Sequence, residues 1–341
     1  MATRPSVPIP LAARRLTARA VRSTRRTTVS VRSTIAKTGF PYRKPSVPGG
    51  ISVPKEPSKL GANFDTEWAR SPVANAVRAV VTEGPLRMLV RGVATPSVYG
   101  ADRLEDFKPR DDEDARPLIF TPNHHSHLDT ALSITSIPMP WRRKLVVAAA
   151  ADYFFSSQLK GTAAALMLNA LPLDREATGR KSMEQITNLI ADGWSLVIYP
   201  EGGRSPDGWG QDFKGGPAYL SSKTGAPIVP MFIDGTGAIF GKGMKRPKPG
   251  KTKVVFGAPM TAAEGESTRR FNARIERAVS ILGDESLTDF WTARQNAAKG
   301  STPDPKGPVF QSWRRTWTLN EQRKRGTTGL RVRQKRLWPE L

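Results

Sequence analysis

The sequence predicts an α/β fold: a mostly parallel central sheet flanked by helices, preceded by an amphipathic helical segment and bounded by disordered basic termini. Two observations carry this. Short apolar runs at 117–122, 144–150, 195–200, 227–234 and 252–257 read as buried strands, and helical patterns at 129–137, 179–192 and 214–224 lie between them. Strands alternating with helices argue for a parallel sheet joined by crossovers. Second, polar and Gly-bearing turns follow the strand runs, where open α/β sheets bind ligands.

Residues 1–60 are rich in Arg, Ser, Thr, Pro and Gly, with Pro45, Pro48, Gly49 and Gly50 interrupting any pattern. They read as a disordered basic segment. Their acid-poor, Arg/Ser-rich composition also resembles an organelle transit peptide. A retained basic tail is the favoured alternative, because the far end is basic too. Residues 61–100 read as an amphipathic helical segment. Trp68, Val73, Val77, Val80 and Val81 share one side, Gly84-Pro85 interrupts, and Leu86, Leu89, Val90 and Val93 resume the pattern. With Arg70, Arg78, Arg87 and Arg91 interleaved, such helices suit a membrane surface. Packing on the core is the plainer alternative. Residues 101–299 read as the α/β domain, ending in helices at 266–282 and 286–299. Residues 300–341 read as a basic tail with Trp313, Trp317 and Trp338.

The net charge of +23 is unevenly placed. Residues 1–55 hold 12 Lys/Arg and no acid, and residues 299–341 hold 11 Lys/Arg and 3 acids, which leaves +3 for the body. Basic ends on a near-neutral body point to a polyanionic partner, either an anionic membrane surface or nucleic acid. No recognised nucleic-acid motif occurs in the body, so nucleic acid is disfavoured as the main partner. There is no cysteine, which excludes disulfides, zinc–thiolate sites and thiol nucleophiles. No apolar run is long enough to span a bilayer.

All three histidines lie in Asn123-His124-His125-Ser126-His127-Leu128-Asp129, after the first strand run. His124 and Asp129 are five residues apart and would lie on different faces of one helix. They meet only if His124 stays in the turn and Asp129 enters the first helical turn. Ser126-x-x-Asp129 reads as a capping box that would place them so. Asp129 could then orient one imidazole nitrogen and leave the other as a general base. Alternatively Asp129 only caps the helix. A metal site from His124, His125 and His127 is a third reading, disfavoured because adjacent histidines project differently.

Tyr199-Pro200-Glu201-Gly202-Gly203-Arg204-Ser205 follows another strand run. Two glycines let backbone N–H groups approach an anion, and Arg204 adds a planar fork suited to phosphate. The plainer reading is a surface turn. Leu171-Pro172-Leu173-Asp174-Arg175 is a charged turn after an apolar run, which an ordinary loop ion pair would also explain.

In order and spacing, Asn123-His124-x-Ser126-x-x-Asp129, Asp174-Arg175, Pro200-Glu201-Gly202-x-Arg204-Ser205 and Val229-Pro230 resemble the 1-acylglycerol-3-phosphate acyltransferase (PlsC-like) family. Phe213-Lys214-x-Gly216 and Val255-Phe256-Gly257-x-Pro259 add to the likeness, which covers roughly 115–260. Gly203 stands where that family has Thr. The resemblance implies an acyltransferase moving a fatty acyl group from acyl-CoA or an acyl carrier protein to a lysophospholipid hydroxyl. The expected acceptor is 1-acyl-sn-glycerol-3-phosphate, giving phosphatidic acid. His124 would be the base and Asp129 its orienter. Asn123 and Ser126 would support the turn on the substrate side. Arg175, Glu201, Gly202, Gly203, Arg204 and Lys214 would hold the acceptor's phosphate or order its loop. No cofactor and no metal are implied, and peripheral association with the cytoplasmic face of a membrane is expected. The same histidines also resemble the motif of condensation domains, where His125 would be the base. That motif continues with Gly after the Asp, where this chain has Thr130.

Overall fold

The structure, a computed structural model, describes residues 60–108, 115–173, 180–205, 208–241 and 244–306. The disordered segment expected before residue 60, the tail beyond 306 with its tryptophans, and the Asp174-Arg175 turn lie outside the described residues.

Seven strands form one sheet: β1 (Pro96–Tyr99), β2 (Ile119–Pro122), β3 (Leu145–Ala150), β4 (Ala170–Leu173), β5 (Ser195–Val197), β6 (Ile228–Asp234) and β7 (Thr252–Phe256). Their spatial order is β1-β7-β6-β2-β5-β3-β4. Every neighbouring pair is parallel except β6 and β7. The mostly parallel sheet expected from the alternation is therefore present. β2 is central and every residue of it is buried. After β2 the chain passes to β3, beyond β5, and after β5 it passes to β6, on the other side of β2. The carboxyl ends of β2 and β5 thus flank a point where the winding reverses, which opens a crevice.

Helices cover both faces. On one face, Phe120, Leu132, Trp141, Val197, Met231 and Phe256 pack together. On the other, Ile119, Ile186, Leu196, Leu220, Phe271 and Ile275 pack together. Ile119 and Phe120 point to opposite sides because strand side chains alternate. The main helices are α1 (Pro72–Val81), α2 (Arg87–Ala94), α3 (Leu128–Ser136), α4 (Gln158–Leu168), α5 (Arg180–Ala191), α6 (Gly216–Thr224), α7 (Thr268–Leu287) and α8 (Phe290–Lys299).

Four elements differ from the sequence expectation. Gly84-Pro85 does not interrupt the N-terminal helical segment. Thr82–Leu86 forms a π-helical turn that joins α1 to α2. The wider turn accommodates a residue without N–H. β1 and β4 were not anticipated: β1 is mostly exposed, and β4 contains Pro172. Both are edge strands, where a proline costs no ladder bond on the open side. α4 is apolar on several sides, so its periodicity was not read, yet Ser157 caps it by accepting the Lys160 N–H.

The N-terminal helices pack on the core along one side and leave apolar side chains exposed on another. Val90 and Ala94 of α2 are buried in the core, while Val73, Val77, Val80, Met88 and Leu89 are exposed. Arg78 turns inward and donates to the carbonyls of Ala69, Ala165 and Leu166. Burial, with Arg70 nearby, lowers its pKa to about 10. Among the described residues no helix is long and apolar enough to cross a membrane.

Candidate active site

Past β2 the chain turns through Asn123. Its amide Nδ2 donates to Ile233 O at 2.9 Å, and its Oδ1 accepts the Ile233 N–H at 2.7 Å. The side chain thereby extends the β2–β6 ladder by one rung. Asn123 is 4% exposed. The next residues form half of the expected capping box, with His127 rather than Ser126 at the N-cap position. Ser126 Oγ accepts the Leu128 N–H at 3.1 Å, and Asp129 Oδ2 accepts the Ser126 N–H at 2.7 Å. Ser126 Oγ also donates to Phe240 O at 2.6 Å. Both Asn123 and Ser126 are occupied by protein partners. Both side chains support the turn, as the resemblance implies for them.

Asp129 is fully buried and its Oδ2 collects three donors. These are the Ser126 N–H, the His125 N–H at 2.7 Å and His124 Nδ1 at 2.9 Å. The two readings of Asp129, cap and orienter, are therefore one arrangement. The same oxygen that ends the turn holds the imidazole. With Nδ1–H donating to the carboxylate, Nε2 of His124 keeps its lone pair. The Tyr199 ring stacks on the imidazole, centroids 4.1 Å apart and 24° from parallel. Its hydroxyl donates to Thr130 Oγ1 at 3.2 Å, and burial of that end raises its pKa well above the usual phenol range.

The second motif grips the first. Glu201 is 4% exposed. Its Oε1 accepts the His124 N–H at 2.9 Å and its Oε2 accepts the Gln211 N–H at 3.1 Å. The Ser205 N–H donates to His124 O at 2.8 Å. Both backbone polar groups of His124 are thus satisfied by the turn after β5. Glu201 faces protein N–H groups and orders the loop, one of the two roles the resemblance implies for it. Desolvation raises its pKa to about 8, against the two N–H donors that favour the charge.

Gly202 sits at φ +69°, and a Cβ there would stand 2.6 Å from Lys214 Nζ. The positive φ favours glycine, and the mobile end of the Lys214 side chain fills the space beside it. Lys214 closes the turn through its N–H to Pro200 O at 2.8 Å. Gly203 keeps open space where a Cβ would be, and its carbonyl accepts Gln211 Nε2 at 2.9 Å. Arg204 reaches the wall of a cavity of about 590 Å³.

That cavity lies beside the His–Asp pair. His127 and Thr130, flanking Asp129 along the chain, line it with Ala131, Tyr153, Phe154 and Leu168. Phe240, Gly241 and Met244 complete the lining. Its lining is mostly apolar, with the His127 imidazole and the Arg204 guanidinium at its edge. His127 stacks on Tyr153 at 5.0 Å and its Nε2 lies 3.0 Å from the Tyr153 hydroxyl. The Arg204 guanidinium sits 5.9 Å from the same ring. Burial, with Arg204 and His124 near, lowers the His127 pKa to about 4. Its ring is neutral at neutral pH.

Residues 96–234 match the family model described as Acyltransferase. This stretch is similar to that family. The resemblance read from the motifs is borne out. Over 146 residues the chain is 27% identical to a 1-acyl-sn-glycerol-3-phosphate acyltransferase of Chlamydomonas reinhardtii, covering 41% of each protein. Over 129 residues it is 30% identical to a chloroplastic protein of that name from Brassica napus, covering 37% of this chain and 36% of the relative. The chain thus matches about two fifths of the length of these relatives. Among solved structures it is similar to the 1-acyl-sn-glycerophosphate acyltransferase PlsC of Thermotoga maritima. That likeness has a TM-score of 0.48 and 23% identity, covering 67% of this chain and 85% of that one.

Within the matched stretch the structure brings together His124, Asp129, Glu201, Gly202, Gly203, Arg204 and Lys214. Arg175 lies outside the described residues. The sequence reading gave no role to Tyr199, Tyr153 or Gln211. Tyr199 stood beside the Pro-Glu-Gly motif, and its place one step before the turn was the available signal. Nothing local marked Tyr153 or Gln211. Among the described residues, no group of three or more His, Asp or Glu is arranged to hold a metal.

Proposed function

We propose that this protein is a glycerolipid acyltransferase that esterifies a lysophospholipid, with 1-acyl-sn-glycerol-3-phosphate as the acceptor and phosphatidic acid as the product. The observation that carries the reading is the His124 Nδ1–Asp129 Oδ2 bond at 2.9 Å within a turn locked by Glu201. It fixes the tautomer in which Nε2 acts as general base. Nε2 takes the proton of the acceptor hydroxyl, and the oxygen attacks the thioester carbonyl of acyl-CoA or an acyl carrier protein. The C–S bond breaks, and the imidazolium returns its proton to the leaving thiolate. Asp129 stabilises the imidazolium and stays ionised. No acyl-enzyme and no cofactor enter the scheme.

Arg204 and the N–H groups of the Gly202-Gly203 turn receive the acceptor's phosphate, with Lys214 and Arg175 assigned to the same anion. The apolar cavity takes an acyl chain. The relatives' names support this assignment of acceptor, and the chemistry of the turn agrees with it.

The protein works at a membrane surface as a peripheral enzyme. The exposed row of Val73, Val77, Val80, Met88 and Leu89 supports this. So does an exposed cationic loop with Lys245, Arg246, Lys248 and Lys251. That loop is tied beside α2 by the Gly250 N–H to Val93 O at 2.9 Å, and beside the cavity wall by the Lys248 N–H to Ile239 O at 2.8 Å. Apolar side chains with neighbouring cations suit the headgroup boundary of an anionic leaflet.

The test is acyl transfer by the purified full chain from one acyl-CoA to a panel of lysolipids. Phosphatidic acid formation, fastest with the phosphate-bearing acceptor, is expected. Transfer to none of them, with acyl carrier protein as donor also inactive, would end the reading.

A further inference from the structure

The turn after β5 is held from outside by the last described stretch of the chain. After α8, residues 301–306 reach the loop at 208–212. Pro305 O accepts the Gly210 N–H at 2.8 Å. Lys306 Nζ lies 2.6 Å from Asp212 and 2.7 Å from Glu276 of α7. Between these two ties, Gln211 points the other way, into the site. Its backbone N–H reaches Glu201 Oε2 and its side-chain amide reaches Gly203 O.

We propose that Gln211 is a positioning residue for the anion-binding turn, and that the 301–306 strap holds Gln211 in register with it through Pro305 and Lys306. The proposal rests on the acyl-transfer reading above and assigns a new residue to the same site. The reasoning follows from the peptide unit. In a trans peptide the C=O and the following N–H point in opposite directions. A donor that fixes the Gly203 carbonyl therefore fixes the direction of the Arg204 N–H, which points away from Gln211. Gly203 brings no side chain to hold its own peptide, and a Cβ there would meet open space. The hold must come from elsewhere, and Gln211 supplies it. Gln211 also bonds Glu201, which holds the His124 N–H, so one residue sets both the anion turn and the base. Lys306 spans two carboxylates on different elements. The Asp212 side chain is 90% exposed, so that pair alone is weak, but Lys306 acts with the Pro305–Gly210 backbone bond. Asn272 Nδ2 to Phe213 O at 2.9 Å ties the far end of the same loop to α7.

The experiment compares the full chain with Gln211→Ala, Lys306→Ala and Lys306→Arg, measuring KM for lysophosphatidate and acyl-CoA separately, with Tm. Gln211→Ala is expected to raise the acceptor KM on the order of ten-fold, the scale of supporting-shell losses, and to leave the acyl-CoA KM unchanged. Lys306→Ala should move the acceptor KM the same way by less, and Lys306→Arg should restore it. An unchanged acceptor KM in Gln211→Ala overturns the proposal. So does a rise in both KM values together with a fall in Tm, which is a merely structural effect. Hydrogen exchange of residues 201–205 without substrate gives an independent arm. Faster exchange in Gln211→Ala and Lys306→Ala supports the tie, and unchanged exchange refutes it. Faster exchange in a protein whose wild type transfers no acyl group keeps the tie and removes the acyl-transfer reading.

Discussion

Glu201 accepts the backbone N–H of His124 at 2.9 Å, so a carboxylate at the end of β5 holds a histidine at the end of β2. The two strands are neighbours in the sheet, and the bond spans the point where the winding reverses. Replacing Glu201 by Ala leaves two buried N–H groups, those of His124 and Gln211, without acceptors. Each such loss costs about 1–3 kcal/mol. It also frees the turn that carries His124, and a misplacement of about 1 Å costs about 10² in rate. Glu201→Ala should therefore lower both Tm and kcat. Loss of Tm with kcat unchanged would show that Glu201 acts on stability alone.

The same carboxyl makes stability depend on pH. Its folded-state pKa of about 8 exceeds the ordinary 4.5, so the native state binds the proton more tightly than the unfolded chain. The stabilisation is fully present below about 4.5 and fades as pH rises through about 8. Across that window the Tm of the wild type should fall relative to Glu201→Gln, whose side chain does not titrate. Parallel Tm profiles for the two proteins would contradict this.

Arg204→Ala should raise the KM for a phosphate-bearing acceptor more than that for acyl-CoA. The motive is its place at the edge of the cavity, next to the Gly202-Gly203 turn. Initial-rate kinetics on both substrates decide it. A larger effect on the thioester would assign Arg204 to the donor.

The strand–turn–helix order around His124 was legible because capping chemistry and periodicity agreed there; Asp129 reaches back to the Ser126 N–H as in a capping box, while Ser126 Oγ takes the Leu128 N–H instead of that of Asp129. The same local logic concealed β4, since Pro172 argues against a strand until the strand is known to lie on an edge. Glu201 was legible as a motif residue but its partner was not. Nothing in a sequence pairs position 201 with the N–H of position 124; only the β2–β5 adjacency does. Tyr153 was hidden for the same reason, since the fold brings it to His127 and Arg204. Gln211 meets Glu201 and Gly203 within one loop, and no periodicity or motif marks how that loop folds back on itself.

Membrane attachment separates the folded body from the ends. Each Lys or Arg near an anionic leaflet contributes about 1 kcal/mol within a Debye length. Replacing Lys245, Arg246, Lys248 and Lys251 by Gln should weaken sedimentation with anionic liposomes and flatten its salt dependence. Removal of residues 1–55 together with 307–341, which spares the 301–306 strap, should weaken it further while short-chain soluble acceptors are still acylated. Binding unaltered by either change would assign the surface and the tails to another acidic partner.

The most direct test of the His–Asp pair is kcat for His124→Ala beside His125→Ala and His127→Ala, each checked for fold by circular dichroism. Loss of a general base lowers the rate by about 10²–10⁴. His124→Ala should show that loss while His125→Ala and His127→Ala keep most of the activity. An active His124→Ala together with an inactive His125→Ala would contradict the mechanism and move the base to His125.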